Sequence, residues 1–127
     1  MTKRNQIYKC EICGNIVSVI SIGIGTLVCC GQDMKLLEEK TRENEGEEKH
    51  VPVVSIDGNK VTVKVGSIQH PMEENHYIEL IQIIKEGNVV IGKRLKADEK
   101  PQAEFYLNDT KNIKSRVLCN IHGLWIN

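Results

Sequence analysis

The five cysteines and four histidines of this 127-residue chain fall into two groups that leave none over. The first group joins a Cys-x-x-Cys motif to an adjacent cysteine pair: Cys10, Cys13, Cys29 and Cys30. Four thiolates on two loops, each pair followed by a glycine, predict a closed tetrahedral metal site rather than a redox dithiol. Iron in this site would carry single electrons and zinc would be structural, and both metals remain open. Because adjacent side chains normally point apart, we expect the neighbouring pair to distort the tetrahedron.

The second group mixes imidazoles with one thiol: His50, His70, His76, Cys119 and His122. Five ligands are one too many for a tetrahedral site, so we expect a larger coordination sphere with one position left for a small molecule. Imidazole and thiolate suit iron, copper or zinc rather than calcium or magnesium. Iron with a thiolate opposite an open position is suited to redox catalysis, because the sulfur donates electron density toward whatever binds across from it.

The composition excludes several classes of function. Seventeen basic residues balance seventeen acidic ones, so no global field favours nucleic acid or an anionic membrane. The longest apolar stretch, residues 16–28, is broken by serines and glycines and is too short to span a bilayer. No apolar segment follows the basic N-terminus, so we expect no secretory signal and a cytoplasmic protein. Reducing cytosol and an odd number of cysteines argue against a disulfide framework.

The elements that must position these ligands are predicted to be short strands. Residues 1–37 form a small metal-dependent domain, residues 38–48 a charged, solvated linker, and residues 49–127 an antiparallel β-sandwich. Alternating patterns and turn residues predict one hairpin from 51–56 and 60–65, and another from 77–84 and 89–95. Further strands are expected at 103–107 and 113–119. The predicted fold class is therefore all-β.

Five segments of the chain together resemble desulfoferrodoxin, the two-iron class of superoxide reductase. The segments are YKCEICGN at 8–15, VCCGQDM at 28–34, EKHVP at 48–52, HPMEENHYI at 70–78 and CNIHGLW at 119–125. The resemblance covers essentially the whole chain, and no ligand of either site is missing. It implies a desulforedoxin-like N-terminal domain followed by an immunoglobulin-like β-sandwich, and a homodimer.

The resemblance also implies two non-heme irons per chain. The four cysteines would hold one iron. The other would be ferrous, with the four histidines in its equatorial plane and Cys119 as the axial thiolate. Superoxide would accept one electron from this iron and two protons, and would leave as hydrogen peroxide. An external donor, typically rubredoxin, would then reduce the iron again.

Glu48 and Lys49 are catalytic candidates by the same resemblance. Lys49 would attract the superoxide anion, and Glu48 would occupy the open position in the ferric resting state. A carboxylate is a hard ligand suited to ferric iron, and a lysine is a compact point charge. Because neighbours in a strand point opposite ways, their cooperation predicts an irregular, mobile loop at residues 46–49.

Three other functions stay open on the sequence. A superoxide dismutase would use the same substrate but would also oxidise it. A non-enzymatic electron-transfer protein would need only the four-cysteine centre and would leave the five-ligand set unexplained. A binding module stabilised by zinc would hold no redox-active iron in either site.

Overall fold

The computed structural model describes residues 1–127 and is almost entirely β-structure. The chain divides into two compact units, Met1–Glu38 and Glu39–Asn127. The only helix has four residues, so no helix here could cross a membrane.

The first unit is built from five strands of two or three residues. Its three-stranded antiparallel sheet has the order β2, β1, β5, and β3 pairs with β4 in a separate hairpin. The strands are β1 (Ile7–Lys9), β2 (Ile16–Ser18), β3 (Val28–Cys29), β4 (Gln32–Asp33) and β5 (Lys35–Leu36). The buried apolar residues of this unit are only three, Ile7, Cys10 and Val19. So small a core agrees with the expectation that metal supplements the folding of this unit.

The second unit is a sandwich of two sheets. A five-stranded sheet has the order β10, β9, β12, β13, β6, and a three-stranded sheet has the order β11, β8, β7. Its elements are β6 (Glu39–Lys40), α1 (Glu47–His50), β7 (Pro52–Asp57), β8 (Lys60–Val65), β9 (Ile78–Lys85), β10 (Asn88–Arg94), β11 (Gln102–Tyr106), β12 (Ile113–Cys119) and β13 (Gly123–Ile126). All pairs are antiparallel except β6 with β13. The all-β prediction is confirmed.

The core of the sandwich follows from period-two alternation. Val61, Val63 and Val65 of β8 are buried, and so are Ile81 and Ile83 of β9 on the facing sheet. Both predicted hairpins form, β7 with β8 and β9 with β10. The second hairpin turns through two residues with positive φ, which suits the right-handed twist of paired strands.

The charged segment 38–48 differs from the expected solvated linker. Glu39 and Lys40 form β6, which pairs with β13, and the guanidinium of Arg116 binds the Glu39 carboxylate at 3.0 Å. At its other end the segment enters α1, so the loop expected at residues 46–49 is a single helical turn. Its backbone is held by bonds from the Lys49 N–H to the Gly46 carbonyl and from the Val51 N–H to the Glu47 carbonyl.

Candidate metal centres

The four cysteine sulfurs of the first unit converge within 4.8 Å of one another. Sγ of Cys29 lies 3.6 Å from Sγ of Cys13 and 3.9 Å from Sγ of Cys30. A tetrahedron with metal–sulfur bonds of about 2.3 Å has edges of about 3.8 Å, so the spacing fits one tetrahedral ion. The sequence prediction that these residues lie together is matched by the geometry.

The backbone of both cysteine loops is shaped to aim the sulfurs inward. Gly14 and Gly31, which follow the pairs, have φ of 81° and 76°, a region that glycine adopts without steric cost. Cys30 itself has φ of 53°, and this left-handed residue brings the two neighbouring sulfurs to one centre. The adjacent pair therefore has its unusual conformation in the backbone of Cys30, and its two sulfurs are 3.9 Å apart.

Electrostatics in the four-cysteine group favour a bound cation. The backbone N–H of Cys13 donates toward Sγ of Cys10 and lowers the pKa of Cys10 to about 6. The neighbouring sulfurs of Cys13, Cys29 and Cys10 raise the pKa of Cys30 to about 12. Four thiolates so close together repel one another without a positive ion between them. The donor set fits iron or zinc, which bind thiolate and displace its proton.

The second unit brings its five candidate ligands together from four places in the fold. The His50 side chain comes from the end of α1, and His70 and His76 come from the loop between β8 and β9. Cys119 ends β12, and His122 lies in the turn before β13. Their ligand atoms all lie within 4.8 Å of one another. Two nitrogens bound to one ion at about 2.1 Å are at most about 4.2 Å apart, so the group is within a few tenths of an ångström of the spacing that a single metal requires.

The four imidazoles form a closed ring around a common centre. Successive ring centroids are 4.8, 4.8, 4.9 and 4.8 Å apart, and each ring meets the next edge-on at 70° to 80°: His50 with His70, His70 with His76, His76 with His122, and His122 with His50. Such a ring presents four lone pairs to one point, as a square arrangement of ligands requires.

Hydrogen bonds on the outer side fix which nitrogens face the centre. Nδ1 of His50 donates to the Gly46 carbonyl at 2.8 Å, and Nδ1 of His70 donates to the Pro71 carbonyl at 2.6 Å. Both rings therefore turn an unprotonated Nε2 inward. Nε2 of His76 is buried with no hydrogen-bond partner, which costs free energy unless a cation binds it.

The remaining two ligands complete the group. Nδ1 of His122 lies 3.2 Å from Nε2 of His50 and 3.8 Å from Sγ of Cys119. Cys119 is 1% exposed, and its sulfur lies 3.4 Å from Nε2 of His70. The backbone N–H of His122 donates to the same sulfur at 3.4 Å.

Burial favours the neutral form of three of these imidazoles. It lowers the pKa of His50 and His122, and it lowers the pKa of His70 to about 4. Burial also raises the pKa of Cys119, partly offset by the backbone N–H of His122. Neutral imidazoles are ready to donate lone pairs, and the buried sulfur needs a positive partner to ionise. The residues present thus fit an iron ion with four nitrogen ligands and one sulfur ligand.

Glu48 and Lys49 lie in α1, immediately before the ligand His50. The Lys49 side chain is exposed and Glu48 is half-buried. The carboxylate of Glu48 is outside the five-residue group, whereas its backbone carbonyl accepts the N–H of Ile68 at 2.9 Å. The structure brings both residues onto the turn that carries a ligand, and not into the ligand group itself.

Three residues around the five-ligand group were not singled out from the sequence. Trp125 stacks on His50, with centroids 4.6 Å apart and planes at 16°, and Lys40 donates to the His122 carbonyl at 3.0 Å. The Asn120 side chain accepts the N–H of Tyr77 and donates to the Asn75 carbonyl, which ties the Cys119 turn to the His76 loop. Trp125 could have been found from the sequence, because it lies only three residues after the candidate ligand His122. Lys40 gave none, because it lies in a run of charges.

Two family models cover almost all of the chain. The N-terminal domain of desulfoferrodoxin matches residues 2–37, and the model described as desulfoferrodoxin matches residues 42–127. A desulfoferrodoxin homolog of Archaeoglobus fulgidus is 57% identical over 125 residues, which cover 98% of each chain. A superoxide reductase of Thermococcus kodakarensis is 36% identical over 63% of this chain and 84% of its own.

A solved structure agrees over nearly the full length. The superoxide reductase from Treponema pallidum aligns with a TM-score of 0.75 and 25% identity, covering 96% of each chain. In this family the N-terminal domain binds iron with four cysteines, and the main domain binds iron with four histidines and one cysteine. Both groups of residues are present in this chain. The resemblance predicted from the sequence is confirmed, and the chain belongs to the desulfoferrodoxin family.

Proposed function

We propose that this chain is a superoxide reductase, an oxidoreductase that reduces superoxide to hydrogen peroxide at its five-ligand site. The observation that carries the proposal is the convergence of four imidazoles and one buried cysteine sulfur. A structural tetrahedral site uses four ligands, so a set of five points to a metal kept for chemistry. The Thermococcus and Treponema proteins similar to this chain carry the name superoxide reductase, which supports the same function.

The ligands proposed for the catalytic iron are His50, His70, His76, Cys119 and His122. Those proposed for the second iron are Cys10, Cys13, Cys29 and Cys30. Iron held by the five ligands would supply the single electron that superoxide gains, and two protons would complete hydrogen peroxide. The side chains prepare this step, since burial lowers the pKa of His50, His70 and His122 and the backbone N–H of His122 donates to the Cys119 sulfur.

Access and charge select the substrate. His122 is exposed at the surface whereas Cys119 is buried, so a small anion would approach from the histidine side. Lys49 is exposed on the turn that carries His50, and its positive charge would draw superoxide toward the ligands. Glu48 lies on the same turn and is the proposed carboxylate ligand of the oxidised site.

The proposal extends to partners and organisation. Residues 1–37 would act as the desulforedoxin-like domain and residues 49–127 as the catalytic domain. Rubredoxin or a similar protein would return the electron, and the cytoplasm would keep the ligand thiols reduced. A homodimer is also proposed, because the first unit exposes large apolar side chains, with Ile20 83% and Ile24 92% exposed.

Metal content per chain, combined with optical spectra, tests this function. We expect two irons, a visible band that appears when the five-ligand iron is oxidised, and loss of that band on reduction. Superoxide added to the reduced protein should produce the oxidised spectrum. Zinc in both sites of protein from iron-replete native cells would contradict the proposal.

A further inference from the structure

Lys40 is held against the backbone of a proposed iron ligand. It lies on the short strand β6, which pairs in parallel with β13 at the edge of the five-stranded sheet. Its Nζ donates to the His122 carbonyl at 3.0 Å and lies 5.3 Å from the centroid of the Trp125 ring. The ammonium group is therefore held beside the backbone of His122 and the ring of Trp125.

Trp125 connects this contact to a second ligand. Its Nε1 donates to the same His122 carbonyl at 3.0 Å, and its ring stacks on His50. One carbonyl thus receives two donors, and one aromatic ring contacts both a cation and an imidazole. Lys40 and Trp125 together support His50 and His122 from outside the site.

The position of Lys40 is fixed by its neighbour on β6. Successive residues of a strand point to opposite faces, and Glu39 points to Arg116. The guanidinium of Arg116 is 4% exposed and is also bound to Oε1 of Gln82 at 2.8 and 3.0 Å. Because Arg116 neutralises Glu39, and none of the four ion pairs of the chain includes Lys40, the positive charge of Lys40 stays uncompensated.

We propose that Lys40 is a positioning residue of the five-ligand site, and that its fixed positive charge raises the reduction potential of the iron held there. A nearby cation disfavours ferric iron more than ferrous iron, since the ferric ion carries one more positive charge. The hydrogen bond to the His122 carbonyl and the contact with Trp125 keep that charge at a constant place. The inference rests on the proposed function in one respect, that the site holds iron.

Redox titration of the iron-loaded chain tests the role of Lys40. Lys40→Met removes the charge and keeps an unbranched side chain, Lys40→Gln keeps a hydrogen-bond donor without charge, and Lys40→Arg keeps the charge. Lys64→Met is the matched control, because Lys64 is exposed on β8 in the other sheet and the substitution changes net charge equally. Visible spectra of each oxidised variant report whether the ligand set is intact.

We expect Lys40→Met and Lys40→Gln to lower the midpoint potential of the five-ligand iron, while Lys40→Arg and Lys64→Met stay close to the parent. Equal potentials in Lys40→Gln and the parent would overturn the charge role, even if Lys40→Met failed to fold. A fall in Lys40→Arg as large as in Lys40→Gln would also overturn it. Absence of a redox-active iron in the parent would instead contradict the proposed function.

Discussion

At the scale of single residues, the five-ligand group is costly without a metal. His76 buries an Nε2 that has no hydrogen-bond partner, and an unsatisfied buried polar atom costs about 1–3 kcal/mol. Cys119 buries a thiol whose pKa is raised by burial. A bound cation would remove both costs at once, because the nitrogen gains a partner and the sulfur gains an opposite charge. These residues are thus arranged for a metal rather than for the stability of the empty fold.

The charge of Lys49 has a measurable consequence for encounter with superoxide. Lys49→Ala should slow the bimolecular reaction about threefold at low salt, as expected for loss of one charge near the site. The same variant should show a weaker dependence of the rate on ionic strength. Pulse radiolysis over a series of salt concentrations measures both quantities. Lys64→Ala is the control, and a rate and salt slope equal to the parent in both variants would remove Lys49 from the mechanism.

Glu48 has a different expected effect. Glu48→Ala should leave the first encounter with superoxide nearly unchanged and shift the visible band of the ferric protein, because one ligand of the oxidised iron would be replaced by solvent. Glu47→Ala, one residue earlier on α1, serves as the control for disturbing the turn. Identical ferric spectra in Glu48→Ala and the parent would contradict the assignment.

At the scale of elements, one helical turn and one glycine turn together place His50. The Ile68 N–H and the Ser67 hydroxyl both donate to the Glu48 carbonyl, at 2.9 and 3.3 Å. Gly66 has φ of 83°, and a Cβ there would lie 2.4 Å from the Ile68 carbonyl oxygen and 2.7 Å from the Glu48 carbonyl oxygen. The close approach of two backbones is therefore possible only with glycine at this position.

Gly66→Ala should destabilise the second unit more than Gly58→Ala does. Both glycines have positive φ, but a Cβ at Gly58 meets nothing within 4 Å. Gly58→Ala should therefore lose only the conformational strain of a left-handed residue, about 1–2 kcal/mol of the free energy of unfolding. The backbone clash at Gly66 should add about 1–3 kcal/mol. Thermal unfolding of the two variants and the parent gives the comparison. An equal loss of Tm in Gly66→Ala and Gly58→Ala would contradict this, because it would mean that the backbone of residues 46–50 moves away from the added Cβ at no cost.

The elements also show what the sequence could and could not predict. Both hairpins were predictable, because alternating apolar residues and turn signals are local. Strand β6 was not, since Glu39 and Lys40 carry no apolar pattern and their partners, Arg116 and β13, lie far along the chain. The metal ligands were predictable as residue types at chelating spacing. Their outer supports, Lys40 and Trp125, arise from strand pairing that spacing does not reveal.

At the scale of the whole molecule, each compact unit contains one ligand group. The four cysteines all lie in Met1–Glu38, and the five mixed ligands all lie in Glu39–Asn127. Metal binding contributes to folding where a site forms only in the folded state. Stability of each unit should therefore respond to its own metal and to the protons that compete for its ligands.

The metal-free protein should lose stability as pH falls from about 6.5 toward about 4. Burial lowers the pKa of His50, His70 and His122 in the folded state, that of His70 to about 4, whereas the unfolded value is 6.5. In this window the unfolded chain binds more protons than the folded chain does. The free energy of unfolding therefore falls as the pH is lowered. Scanning calorimetry of the metal-free protein at several pH values measures the effect. A Tm that is constant or rises between pH 6.5 and 4.5 would contradict it.

The product stoichiometry of the reduced protein tests the central claim most directly. A known amount of superoxide is mixed with protein whose five-ligand iron is fully reduced, and hydrogen peroxide, dioxygen and oxidised iron are quantified together. Reduction predicts one peroxide and one oxidised iron for each superoxide consumed, with no dioxygen formed from it. Half a peroxide and half a dioxygen per superoxide, with the iron left reduced, would show dismutation and contradict the account.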